Sequence, residues 1–113
     1  MKFPILSKNS VLDLDNDKYS LQELSNHLEK EQKELDNAIK NGMNKVYISE
    51  ELFDNIQTCI NMLSKLSQEG IDMRRVALRH EKKLINLGWN WKGYVEFKTM
   101  KIEQKKLKKV NED

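Results

Sequence analysis

The chain has 113 residues, 38% of them hydrophobic and 34% charged, with four Gly, one Pro and one Cys. That length allows one compact domain, and the balance favours helices over a β-sandwich or a low-complexity chain. A formal net charge of +2, with only three Arg and with acids interleaved among the bases, argues against a dedicated nucleic-acid binder.

Residues 1–19 contain Pro4 and three alternating acids, Asp13, Asp15 and Asp17, with no helical period, and read as an irregular N-terminal arm. The longest apolar run, Phe3-Pro4-Ile5-Leu6, is far shorter than the roughly 20 residues of a membrane span. Lys2 is not followed by an apolar signal core or a small-residue cleavage site, so a secretory signal is not expected. The lone Cys59 offers no internal disulfide partner, and a reducing cytoplasm is the expected setting.

A helical domain is expected over residues 20–91. Ser20-Leu21-Gln22-Glu23 matches a capping box, in which hydroxyl and carboxylate satisfy each other's orphan backbone donors. Leu21, Leu24, Leu28, Leu35, Ala38 and Ile39 then form a helical stripe, which Asn41-Gly42 ends. Ser49 is the expected cap of a second helix, with Glu50 and Glu51 in its first turn, where the dipole favours anions. Its inward stripe is Leu52, Phe53, Ile56, Cys59, Ile60, Leu63 and Leu66, with Cys59 read as a small hydrophobe. Val46-Tyr47-Ile48 is too short to argue for a strand.

Asp72 caps a third predicted helix, with Met73, Val76, Ala77, His80, Leu84 and Leu87 expected to face inward and Gly88 ending it. Trp89 and Trp91 follow, as a lid over a nucleobase or, by preference, as the closure of the bundle end. Residues 92–113 form a Lys-rich tail with seven Lys against four acids, and residues 94–109 carry a sparse helical stripe through Tyr94, Phe97, Met100 and Leu107. The Lys98–Lys109 run reads as a solvated face. The whole is an all-α bundle of three to four helices.

Two acidic pairs interrupt this pattern. Glu31 falls inside the apolar arc bounded by Leu24 and Ala38, and Glu34 projects from its flank one turn on. Glu51 and Asp54 repeat the spacing on the second helix. A carboxylate on a buried face must be paired, protonated or coordinated. Four converging carboxylates suit a hard divalent cation, although solvated Glu-rich helices produce the same spacing. On the third helix Arg79, Lys83 and Asn86 share one edge, able to hold phosphate oxygens or, alternatively, to complement the helix dipole. His27, one turn before Glu31, is placed to orient it, whereas His80 reads as a packed core residue.

The ordered set Glu31-Gln32-Lys33-Glu34, Glu51-Leu52-Phe53-Asp54 and Lys83-Leu84-Ile85-Asn86 before a Gly-Trp resembles the MazG-like nucleoside triphosphate pyrophosphohydrolases. Relatives of that family are the all-α dUTPases and dCTP pyrophosphatases. The likeness spans roughly residues 20–90, and Lys30 stands where many members carry a second Glu. It implies Mg²⁺-dependent hydrolysis of a nucleoside triphosphate to monophosphate and pyrophosphate. Glu31, Glu34, Glu51 and Asp54 would be the ligands and Glu31 or Glu34 the proton acceptor. Lys83 and Asn86, with Arg79 beside them, would be the substrate-binding group. A homodimer or homotetramer is implied as well. The rival expectations are a non-catalytic helical protein-interaction module and, more remotely, a small nucleic-acid binder led by the tail.

Overall fold

A computed structural model describes residues 2–96. Three helices dominate it: α1 (Leu21–Lys40), α2 (Lys45–Gln68) and α3 (Met73–Asn86). The all-α expectation holds for these residues. None of the helices is long and apolar enough to cross a membrane. The expected helix over 94–109 falls almost wholly outside the described residues, and 91–96 are not helical.

Local chemistry sets each helix boundary. Ser20 Oγ accepts from the Glu23 amide at 3.1 Å, and Glu23 Oε1 accepts from the Ser20 amide at 3.4 Å, completing the capping box. Helix α2 starts earlier than its expected Ser49 cap. Asn44 is the cap, its Oδ1 accepting from the Tyr47 amide at 2.8 Å. Val46, Tyr47 and Ile48 therefore form the first turn of α2. Ser49 lies inside the helix, where its hydroxyl donates to the Lys45 carbonyl one turn back. Asp72 caps α3 as expected, through the Arg75 amide.

The turn between α1 and α2 depends on Gly42, at φ +64°, a conformation that a Cβ disfavours. Gly42 donates to Ile39 and Met43 to Ala38, the paired bonds of a Schellman cap. The same pair of bonds recurs at the ends of α2 and α3. With this tight turn, α1 and α2 lie antiparallel and form the only extensive helix–helix packing among the described residues.

The N-terminal arm is more ordered than an irregular segment. Lys8–Asn9 (β1) pairs antiparallel with Leu14–Asp15 (β2), Lys8 opposite Asp15. Asn9 Oδ1 accepts from the amides of Val11 and Leu12, and Asp13 takes φ +52° to close the turn. Short polar side chains make these turn bonds locally, without needing a core. The arm runs beside α2: Gln57 donates to the Pro4 carbonyl at 2.7 Å, Asn61 accepts from the Leu6 amide, and the Phe3 and Phe53 rings lie 5.4 Å apart.

The core is sparse. Among the described residues only Leu24 (1% exposed), Ala38 (4%) and Glu51 (8%) are buried. The inward face expected of α3 is a correction: no residue of that helix is buried, and His80 is exposed with Val76 and Ala77. Only Met73 and Leu84 are partly covered. Cys59 is exposed too, as is Trp89. The physical reason is common to all of them: helical period marks a face, but among the described residues no second layer covers these faces. The radius of gyration, 16.3 Å, exceeds the value of about 13 Å for a compact chain of about 100 residues.

Candidate functional site

The α1–α2 pairing brings three of the sequence-predicted carboxylates together. One oxygen each from Glu31, Glu51 and Asp54 lies within 4.8 Å of the others. Glu31 enters from the middle of α1, and the other two enter from consecutive turns of α2. Glu34 stands next to them, close enough for its charge to act on both Glu31 and Asp54. Glu50 adds its field at Asp54.

Two of these groups are left short of partners. Oε2 of Glu31 and Oε2 of Glu51 are buried and accept no hydrogen bond. Burial, with the negative charges of Glu34, Asp54 and Glu51, pushes the Glu31 carboxyl above its ordinary range. Asp54 is raised for the same reasons, burial first, then the charges of Glu34 and Glu50. A hydrogen bond to Glu51, together with the charge of that carboxylate, likewise holds the Tyr47 phenol above its usual value. Crowded, partly desolvated carboxylates with orphaned oxygens are an unfavourable arrangement for the protein alone. Hard oxygen donors, concentrated negative charge and unfilled acceptor capacity all suit a divalent cation such as Mg²⁺. The residues present fit that ion.

Arg79, Lys83 and Asn86 also meet, but elsewhere. With Lys82 and Leu87 they line an open depression that belongs wholly to the C-terminal half of α3 and its end, and no carboxylate of the cluster borders it. The charge separation follows the helices: α3 carries Arg74, Arg75, Arg79, Lys82 and Lys83 against Glu81 alone. His27, expected to orient Glu31, makes a T-shaped ring contact with Tyr19, the centroids 4.9 Å apart. Sequence reasoning missed Tyr47 and Asn55, the polar neighbours of the cluster. The only signal for Tyr47 was its position one helical turn before Glu51.

No family model, curated protein or solved structure matches the chain.

Proposed function

We propose that the protein is a Mg²⁺-dependent nucleoside triphosphate pyrophosphohydrolase of the MazG-like kind, working in the cytoplasm. The observation that carries this reading is the set of three carboxylate oxygens within 4.8 Å, two of whose residues have buried, unpartnered Oε2 atoms. Glu31, Glu51 and Asp54, with Glu34 at their edge, would hold the ion. Mg²⁺ bound there supplies charge neutralisation at the phosphate oxygens and a more acidic water.

The chain's own residues do the remaining work. Glu31, held above the usual carboxylate range by burial and by the charge of Glu34, is suited to accept the proton of the attacking water. The water oxygen forms the new P–O bond as the α–β bridging bond breaks, giving nucleoside monophosphate and pyrophosphate. Arg79 and Lys83 bind phosphate oxygens as cations, and Asn86 adds a neutral donor for phosphate or sugar.

Self-assembly belongs to the same reading, as a dimer or tetramer. Val76, Leu87 and Trp89 stay 44%, 65% and 65% exposed beside a basic edge, and a second copy would cover them. It would also carry the α3 cations towards an acidic cluster that they do not border within one chain. The same exposed residues favour the rival reading, a non-catalytic interaction module, in which Mg²⁺ would change neither stability nor turnover.

A panel of ribo- and deoxyribonucleoside triphosphates, assayed for pyrophosphate with and without Mg²⁺, tests the proposal. Mg²⁺-dependent release of pyrophosphate and monophosphate in equal amounts is expected. No turnover, with thermal melts identical in both conditions, overturns it.

A further inference from the structure

Asn55 lies one residue beyond Asp54 and belongs to neither acidic pair. Its side-chain amide nevertheless reaches both helices. Nδ2 donates to the Glu51 carbonyl, one turn back in α2, at 2.8 Å. The same nitrogen donates across to the Glu31 carbonyl of α1 at 3.1 Å. An amide nitrogen has two hydrogens, so both bonds can form together. The two carbonyls belong to the two residues whose carboxylates carry the orphaned Oε2 atoms.

This geometry has a consequence for the cluster. Like charges at Glu31, Glu51, Asp54 and Glu34 push α1 and α2 apart at this level, because Glu31 and Glu34 sit on one helix and Glu51 and Asp54 on the other. The cross-helix bond from Asn55 opposes that force where it acts, and it fixes the relative height of the Glu31 and Glu51 backbones.

We propose that Asn55 is a positioning residue for divalent-cation binding: its amide ties the α1 and α2 backbones at Glu31 and Glu51 and so sets the spacing of the carboxylates. The proposal rests on the cation-site reading above. Groups that orient ligands without touching the ion commonly alter metal affinity by about 10–100-fold when removed.

Asn55→Ser separates the two bonds. A serine in a helix can still donate to the carbonyl four residues back, but it is too short to span to α1. Asn55→Leu removes both bonds and keeps bulk. Gln57→Leu serves as the control, since Gln57 is also a partly buried amide of α2 that bonds a neighbouring segment, at Pro4. Mn²⁺ binding to the full chain is measured by the loss of the free-ion electron paramagnetic resonance signal, alongside thermal melts without metal. Wild type should bind Mn²⁺, and Asn55→Ser should bind about 10-fold more weakly, with Asn55→Leu at least as weak. Gln57→Leu should lose melting temperature without losing Mn²⁺ affinity. If wild type and Asn55→Ser bind Mn²⁺ equally, Asn55 has no positioning role and the cation site stands without it. The positioning role also falls if Gln57→Leu weakens binding as much as Asn55→Ser does, because the effect is then only lost stability. If wild type binds no Mn²⁺, the cation site falls and the role of Asn55 falls with it. Should Asn55→Leu fail to fold, Asn55→Ser decides alone.

Discussion

Helices α1 and α3 have comparable sequence credentials and opposite fates. Each begins at a side-chain cap, Ser20 or Asp72, and ends at a positive-φ glycine, Gly42 or Gly88. Each carries an apolar stripe at helical spacing. Yet α1 buries Leu24 and Ala38 against α2, whereas α3 buries nothing. Charge divides them as well, with carboxylates gathered on the α1–α2 pair and cations on α3. The difference teaches that caps and period specify a helix, while burial depends on a second surface that must come from somewhere. Here α2 supplies it for α1, and for α3 the proposed supplier is another copy of the chain.

The strongest way to sharpen this contrast is Glu51→Gln. On the α1–α2 side, turnover should fall by about 10³-fold or more, because a buried ligand charge is lost. Stability without metal should hold or rise, since the amide removes one repelling charge and offers a donor to its neighbours. Pyrophosphate release and metal-free melts measure the two effects, and equal losses in both would mean a purely structural role for Glu51.

Next in size is Val76→Asp, which tests whether α3 is covered by a partner copy. A charge driven into a closed apolar contact should weaken self-association on the order of 10²-fold, read by sedimentation across a concentration series. A wild-type chain that remains a monomer at high concentration would break the comparison, leaving α3 truly unpartnered.

Lys83→Ala should raise the KM for the triphosphate by about 10-fold and leave the Mg²⁺ midpoint unchanged, since an ammonium binds phosphate and not the cation. A shifted Mg²⁺ midpoint would mean that the two regions are not separable.

The smallest effect is the pH dependence of the metal-free protein. Glu31 and Asp54 have folded-state affinities for protons raised by burial and by the charges of neighbouring carboxylates, Glu34 foremost. For groups raised in the folded state, the native protein binds more protons than the unfolded chain between the two titrations. Their contribution to stability is therefore full below the ordinary carboxylate range and is lost as pH rises through the raised range. Metal-free protein should melt higher just above the ordinary carboxylate range than at neutral pH, and added Mg²⁺ should narrow that difference. Melts that fall steadily on acidification from neutrality would contradict this.

Much of the α1–α2 site was readable because Glu31 interrupts an apolar arc, and an interrupted arc is a statement about burial. Helix α3 was readable as a helix for the same kind of reason, through Asp72 and the spacing of Met73, Val76 and Leu84. Its exposure was not, because periodicity carries no information about partners. The start of α2 was hidden by a competing cap: Ser49 before two glutamates is the stronger signal in the sequence, but Asn44 already satisfies the Tyr47 amide. Asn55 was invisible for a different reason. Its role depends on the height at which α1 meets α2, and one helix alone does not encode that.

The short 41–44 connection between α1 and α2 has a kinetic consequence. Helices joined by so few residues meet through contacts of low sequence separation, and chains of that topology fold in microseconds to milliseconds. The paired carboxylates would thus be assembled within the folding of a single chain. The proposed covering of α3 by a second copy would be bimolecular, so its rate would depend on how many chains are present. A dilute, newly made chain would then hold its acidic half ready while its cationic half still waits for an encounter.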